Sequence, residues 1–397
     1  MKNIDLVILA GGLGTRIKRF LGNKPKPMIK FNNIYFLQYL INIYSKYPFN
    51  KIFILTGYRS RIIFNNFHNK IFNLTKVICL REKEPMGTGG ALINLKSLNK
   101  SLKINDFVLT NGDTIFDIDI YDLLKNYQKG KLGCIALTSN KKNINNIKLN
   151  NLDIKKKVIV YNRRGKLMNG GIYFFKKNIL NLIPKRKFSL ENNFLPELIN
   201  KKLLNGKVYK NFFLDIGTPK YIKVSEKKLK NYFRRPAAFL DRDGVINHDF
   251  GYVHNKRNFK FKKGVIEGLK YLCKKNYLIF IVTNQAGIAK GIFTEEDFFQ
   301  LQSFVSKKLS YHKIAINDVQ FSPYHPKGKI LKYRKKTNLR KPGNQMIKNI
   351  FNKFIIDKKK SFMIGDNKSD EQCADKSNIK FYYAENNFKS LIKKITQ

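Results

Sequence analysis

Two carboxylates stand two residues apart in Ala238-Phe239-Leu240-Asp241-Arg242-Asp243-Gly244-Val245, immediately past a run apolar enough to be a buried strand. An Asp-x-Asp on a loop is a cation site, a charged turn or a pair of acid–base groups, and the spacing alone leaves all three open. A second feature lies near the start, where Leu6 to Ala10 runs into Gly11-Gly12-Leu13-Gly14-Thr15-Arg16. Residues without side chains let backbone N–H groups close around phosphates, and Arg16 adds positive charge. The spacing fits neither a dinucleotide fingerprint nor a Walker loop. Taken alone, such a glycine turn is more often purely structural. Asp113 and Asp215 are two further carboxylates, far apart in sequence, and each by itself reads as a turn or cap residue.

The elements that must position these residues are short apolar runs separated by helical stretches. They are Leu6 to Ala10, Ile52 to Thr56, Phe107 to Thr110, Ile172 to Phe175, Ala238 to Leu240, Leu278 to Thr283 and Ser361 to Ile364. Most are apolar on both faces and lead straight into Gly, Asp or Asn, as buried parallel strands feeding loops do. The chain therefore reads as α/β with two domains. A basic helix, Tyr221 to Tyr232, closes near Phe233, and Arg234-Arg235-Pro236 precedes a fresh strand. This predicts domains over 1–233 and 234–397 with a very short linker. The stretch Asn140 to Asn162, rich in Lys and Asn, is the least readable.

Composition bounds the function. Of 397 residues, 78 are Lys or Arg and 27 are Asp or Glu, a formal charge of +51 at pH 7, yet 43% are hydrophobic and 13% aromatic. Such a chain can bury sizeable cores, so it is not a disordered polycation. The charge invites a nucleic-acid partner. A drift toward Lys, Asn, Ile, Phe and Tyr with no Trp is the competing account. No helix-turn-helix, zinc-finger or aromatic-basic single-strand signature is present, so no specific nucleic-acid partner is expected. The first residues lack an apolar core with a small-residue cleavage site, and no stretch approaches eighteen apolar residues. Neither secretion nor membrane spanning is expected. Cys79, Cys134, Cys273 and Cys373 form no Cys-x-x-Cys pair, which fits a reducing cytoplasm.

The glycine loop is followed, in order, by Lys24-Pro25-Lys26-Pro27-Met28, Glu82 to Gly90, Asn111-Gly112-Asp113, Asn169-Gly170-Gly171 and Asp215-Ile216-Gly217-Thr218-Pro219. This ordered set resembles the sugar-1-phosphate nucleotidyltransferases across roughly residues 1 to 230, implying a Rossmann-like mixed sheet. The resemblance implies that Gly11, Gly12, Gly14 and Thr15 hold a nucleoside triphosphate, Arg16 its outer phosphates and Lys26 the reacting phosphates. Gly87, Thr88 and Gly89 would form the base and ribose wall, and Asn169 and Gly170 the sugar platform. Asp113 and Asp215 would share a Mg²⁺, which prefers oxygen ligands. Where relatives carry a Glu-Lys pair, this chain reads Tyr161-Asn162-Arg163-Arg164, so Arg163 is left to keep the phosphate contact.

Beyond the boundary, Asp241-Arg242-Asp243-Gly244, Val282-Thr283-Asn284-Gln285, Arg340-Lys341-Pro342 and Ile364-Gly365-Asp366 supply the motifs of the haloacid dehalogenase superfamily in order. The fuller wording resembles heptose-1,7-bisphosphate 7-phosphatases, kin of histidinol phosphatases, over roughly 236 to 395. That implies a parallel Rossmann-like sheet, Asp241 as nucleophile and Asp243 as acid and base. It places Mg²⁺ among Asp241, the Asp243 carbonyl and Asp366, with Thr283 and Lys341 on the phosphoryl group. Asn284, Gln285 and Arg340 would shape the substrate site. Asn367 stands where a Lys commonly follows. Many relatives close a loop with zinc through two Cys-x-His/Cys pairs, but here those positions read Ser322, Tyr324, Thr337 and Leu339, with His325 the one nearby imidazole. No structural zinc is expected, because hydroxyl and aliphatic groups do not hold it.

Together the two resemblances imply a bifunctional enzyme. It would take the 7-phosphate from a heptose bisphosphate and transfer GMP from GTP to heptose 1-phosphate, giving GDP-heptose for surface polysaccharide. The alternative is a mannose- or hexose-1-phosphate nucleotidyltransferase fused to a histidinol-phosphate-type or other sugar phosphatase. Oligomeric state has no signal in the sequence.

Overall fold

The computed structural model describes residues 4–12, 14, 17–73, 75–82, 87–139, 151–184 and 186–397. The chain forms two compact units, and the principal division falls between Lys228 and Leu229, inside the helix Pro219–Phe233. No helix among the described residues is long and apolar enough to cross a membrane.

The first unit is built on a ten-stranded mixed sheet. Toward one end of it four strands run parallel: Asp106–Asn111, Ile4–Ala10, Ile52–Thr56 and Thr75–Arg81 lie side by side in that order. Ile52–Thr56 is buried at every position, which is why it reads as an unbroken apolar run. Met168–Phe175 runs antiparallel between Asp106–Asn111 and Gly133–Thr138. Leu204–Tyr209 pairs parallel with Gly133–Thr138, and the hairpin Leu152–Lys155/Val158–Tyr161 forms one edge of the sheet. A separate two-stranded ladder joins Thr114–Phe116 to Phe213–Asp215. One buried cluster, including Val7, Phe53, Phe107, Leu109, Tyr173 and Phe175, fills the space against the helices Gly90–Ser97 and Leu195–Asn200.

The second unit is a five-stranded parallel sheet in the order Asp318–Ser322, Leu278–Asn284, Ala237–Leu240, Phe362–Gly365, Lys380–Tyr383. Alternation along the central strands explains its two layers, since successive side chains point to opposite faces. Ala238, Leu240, Ile279 and Ile281 pack with residues of the helices Val265–Lys274, Glu295–Tyr311 and Phe388–Ile395. Ala237, Phe239, Phe280 and Val282 pack with Met346, Ile347 and Ile350 of Gln345–Phe351 and with Cys373 and Ala374. Helices thus cover both faces of a fully parallel sheet, an arrangement in which ligands bind outside the carboxyl ends of the strands.

Candidate active sites

In the second unit, three adjacent strands deliver three chemical groups to one edge. Asp241 follows Ala237–Leu240, Thr283 is the penultimate residue of Leu278–Asn284, and Asp366 follows Phe362–Gly365. Register sets them level, with Leu240 opposite both Ile281 and Ile364, and the Asp241 N–H donates to the Ile364 carbonyl at 3.0 Å. Gly244 is required behind Asp241, for its φ is +79° and a Cβ there would meet Asp366 Oδ2 at 2.1 Å.

Carboxylate oxygens of Asp241, Asp366 and Asp370 all lie within 4.8 Å of one another. Between two of them sits Lys341, whose Nζ is 2.9 Å from Asp241 Oδ2 and 2.5 Å from Asp370 Oδ1, and donates to the Val282 carbonyl at 3.0 Å. Three carboxylates against one ammonium leave the cluster short of positive charge. Burial, reinforced by Asp370 and Asp243 and opposed by Lys341, pushes the Asp241 carboxyl up to about 7. Burial also raises Asp366. Lys341 would be lowered by its own burial, but Asp241 and Asp370 carry it above the ordinary lysine value. An all-oxygen, anionic donor set of this kind suits a hard divalent cation such as Mg²⁺.

Asp243 has a different role in the geometry. Its carboxylate accepts from Arg242 Nε at 3.2 Å and Nη2 at 2.9 Å, from Gln285 Nε2 at 2.9 Å and from Asn247 Nδ2 at 2.9 Å. Arg242 is fully buried, and its Nη2 also reaches the Val253 carbonyl and Gln285 Oε1. Gln285 Nε2 donates to Thr283 Oγ1 as well, which leaves the threonine hydroxyl proton free for an acceptor. Asn284 clamps the Lys341 backbone from both sides, donating to its carbonyl at 3.1 Å and accepting from its N–H at 3.0 Å. Arg340 donates to the Tyr324 carbonyl. In the Ser322–Leu339 loop, Arg334 donates to the Gly328 and Lys329 carbonyls, and His325 Nδ1 accepts from the Lys327 N–H.

In the first unit the equivalent edge carries the glycine loop. Gly11 follows Ile4–Ala10, and Asn111-Gly112-Asp113 follows the neighbouring strand. A Cβ at Gly112 would lie 2.4 Å from the Leu9 carbonyl oxygen, which accepts the Gly112 N–H at 2.8 Å. The short ladder sets Asp215 opposite Thr114, and the Ile216 N–H donates to the Asp113 carbonyl at 3.1 Å. Asp113 and Asp215 are thereby neighbours. Lys26, buried in the turn Lys26–Met28, donates to Asp113 Oδ2 at 2.5 Å, and its Nζ lies 3.3 Å from the Cβ position of Gly217. Burial alone would raise the Asp113 carboxyl, but the Lys26 ammonium holds it below the ordinary value.

Asn169, Gly170 and Gly171 form a bulge, since the pairing of Met168–Phe175 with Gly133–Thr138 shifts register between Asn169 and Tyr173. Gly171 has φ +76° and lies against Asn111, while Asn169 accepts from the Gly171 N–H and donates to the Tyr173 hydroxyl. Gly87 and Gly89 lie against Phe188, and Thr88 donates to Glu191 Oε2 at 2.7 Å, so this turn is also held by packing. Arg163 is exposed, with no hydrogen bond or ion pair among the described residues. Thr15 and Arg16 lie outside the described residues.

Asp370 was not singled out from sequence, although it sits one helical turn beyond Asp366 in Asp366-Asn367-Lys368-Ser369-Asp370. The available signal was its place in the first turn of Lys368–Asp375, where it caps the chain by accepting from the Asn367 N–H at 3.1 Å.

Comparison with known proteins finds relatives of both units. A family described as nucleotidyl transferase matches residues 6–147, and one described as haloacid dehalogenase-like hydrolase matches 329–384. A D-glycero-beta-D-manno-heptose-1,7-bisphosphate 7-phosphatase from Photorhabdus laumondii is 43% identical over 139 residues, 35% of this chain and 74% of that protein. The Escherichia coli K12 protein of that name is 39% identical over 144 residues, 36% of this chain and 75% of that protein. Among solved structures, HddC from Yersinia pseudotuberculosis is similar at 28% identity and a TM-score of 0.46, covering 57% of this chain and 99% of that one. The chain therefore belongs, through its haloacid dehalogenase-like half, to the family of D-glycero-beta-D-manno-heptose-1,7-bisphosphate 7-phosphatases, and carries a nucleotidyl transferase half in the same polypeptide.

Proposed function

We propose that the chain is a bifunctional enzyme of nucleotide-sugar synthesis, with a nucleotidyl transferase domain over 1–233 and a phosphatase domain over 234–397. The phosphatase removes the 7-phosphate of D-glycero-D-manno-heptose 1,7-bisphosphate, and the transferase converts the resulting heptose 1-phosphate and GTP to GDP-heptose and pyrophosphate, in the cytoplasm. One observation carries this reading. A site of the heptose bisphosphate phosphatase family, whose product is a sugar 1-phosphate, is joined in one chain to a nucleotidyl transferase, whose acceptors include sugar 1-phosphates.

In the phosphatase, the Asp241 carboxylate attacks phosphorus and the C7 oxygen leaves with a proton from Asp243, giving an aspartyl phosphate. Asp243 then takes a proton from the water that hydrolyses it. Arg242, Gln285 and Asn247 hold Asp243 in place, the free Thr283 hydroxyl proton meets a phosphoryl oxygen, and Lys341 balances phosphate charge. Asp241, Asp366 and Asp370 would hold a Mg²⁺, which when bound supplies the positive charge that lets a carboxylate approach a phosphate. In the transferase, a phosphate oxygen of heptose 1-phosphate attacks the α-phosphorus in line and expels pyrophosphate. Lys26 and Arg16 neutralise developing charge, and Asp113 and Asp215 would hold a second Mg²⁺. No covalent nucleotidyl-enzyme forms.

Incubation of the protein with both anomers of heptose bisphosphate, Mg²⁺ and each nucleoside triphosphate, followed by mass analysis, tests this. GDP-heptose and inorganic phosphate are expected. Faster turnover of UTP or dTTP than of GTP would move the transferase to another nucleotide.

A further inference from the structure

The loop from Ser322 to Leu339 leads from the strand Asp318–Ser322 to Arg340 and Lys341 of the phosphatase site. Of the fifteen residues from Lys327 to Lys341, eight are Lys or Arg and none is Asp or Glu. Like charges at this density repel one another and favour an open loop. The crowding is felt at His325, whose imidazole is lowered by burial and then by Arg340, Lys290 and Lys327. A zinc clip would overcome the repulsion, but Ser322, Tyr324, Thr337 and Leu339 offer it neither thiolate nor imidazole.

Arg334 makes the central tie instead. Its Nε donates to the Gly328 carbonyl at 2.7 Å and its Nη2 to the Lys329 carbonyl at 3.2 Å, so the guanidinium fork spans two successive peptide units. Gly328 is where the loop meets the site. A Cβ there would lie 2.9 Å from both the Cβ and the carbonyl oxygen of Ala289, and the Ile330 N–H donates to that same carbonyl at 2.9 Å. Ala289 belongs to the helix Ala286–Lys290, which begins directly after Thr283, Asn284 and Gln285. The two limbs of the loop are joined beside Arg334, where the His325 N–H donates to the Tyr333 carbonyl at 3.1 Å. Tyr324 carries the Lys335 ammonium over its ring at 4.3 Å, and its carbonyl accepts from Arg340 Nη1 at 3.4 Å. A continuous set of contacts thus runs from Arg334 to Arg340.

We propose that Arg334 holds the Ser322–Leu339 loop closed against the helix Ala286–Lys290, in the place of a metal clip, and is thereby the positioning residue of Arg340. Lys341 turns its ammonium inward to Asp241 and Asp370, whereas Arg340 is fixed outside that cluster, on the Tyr324 carbonyl. Arg334 therefore acts on the part of the substrate that lies beyond the reacting phosphate. The proposal rests on the reading of the second unit as a sugar bisphosphate phosphatase and supplies the residue that orders its substrate loop. A lysine cannot replace it, since one ammonium reaches one of the two carbonyls well.

The test compares full-length wild type, Arg334→Lys and Arg334→Ala at saturating Mg²⁺, on heptose 1,7-bisphosphate and on p-nitrophenyl phosphate, which has no second phosphate. Arg334→Ala is expected to raise KM for the bisphosphate by about 10-fold, the worth of a hydrogen bond from a charged donor, and to leave kcat/KM for p-nitrophenyl phosphate within about twofold. Arg334→Lys should fall between the two. Trypsin should cut between Lys327 and Lys336 faster in Arg334→Ala, and 1,10-phenanthroline, which leaves Mg²⁺ in place, should change nothing in wild type. An unchanged bisphosphate KM in Arg334→Ala, equal losses on both substrates, or full rescue by Arg334→Lys overturns the proposal. So does a phenanthroline loss that zinc restores and Mg²⁺ does not. A wild type that hydrolyses p-nitrophenyl phosphate but not the bisphosphate removes the substrate reading, and the trypsin rate of Arg334→Ala then decides the clamp on its own.

Discussion

At the scale of single residues, the phosphatase cluster is a charge imbalance waiting for a cation. Asp241, Asp366 and Asp370 face one ammonium, and the Asp241 carboxyl is raised to about 7 from an unfolded value near 3.8. The folded protein therefore binds more protons than the unfolded chain between those values, so this group makes stability fall as pH rises from about 4 to 7. Metal-free Asp241→Asn should be more stable than wild type at pH 8 by on the order of 2 kcal/mol, and wild type should recover when Mg²⁺ is added. Thermal melts with and without EDTA check this, and a less stable variant at pH 8 would contradict it. Asp370 shows the limit of reading by residue type. Asp241, Asp243 and Asp366 sit directly after strands and announce themselves, whereas Asp370 is a helical residue whose side chain turns inward only because Gly365 leaves room at 2.3 Å from its Cβ. Asp370→Ala should leave Lys341 with one carboxylate fewer, remove one of the three carboxylates that would hold Mg²⁺ and raise the Mg²⁺ concentration for half-maximal phosphate release by about 10- to 100-fold, and a Mg²⁺ titration of phosphate release that matches wild type would contradict this.

At the scale of elements, every apolar run read from sequence is a strand, because burial on both faces of a sheet leaves an unbroken apolar signature. The hairpin Leu152–Lys155/Val158–Tyr161 was not legible, since an edge strand of Lys, Asp and Val has no such constraint. Nor was the ladder Thr114–Phe116/Phe213–Asp215, three residues a side, although it alone makes neighbours of Asp113 and Asp215. Glycines show a similar split. Gly87 and Gly89 suggested a nucleotide wall, and the structure also gives them a packing reason against Phe188. Gly112→Ala forces a Cβ onto the Leu9 carbonyl at 2.4 Å, so the Asp106–Asn111 strand must slide against Ile4–Ala10. We expect it to lower nucleotidyl transfer by about 10-fold or more while phosphate release is unchanged, as the strain is confined to one sheet. Parallel assays of both reactions check this, and equal losses would contradict it.

At the scale of the whole molecule, the described residues of each candidate site gather at the carboxyl strand ends within one compact unit. The ordered motifs made this legible, because each site is a list of loops in chain order. The most direct test of two independent chemistries in one chain is a reciprocal pair of variants assayed for both reactions. Asp241→Asn should abolish phosphate release from heptose 1,7-bisphosphate yet convert preformed heptose 1-phosphate and GTP to GDP-heptose at the wild-type rate. Asp113→Ala should do the reverse, and an equimolar mixture of the two should restore GDP-heptose synthesis from the bisphosphate. Loss of both reactions in a folded Asp241→Asn protein would contradict the account.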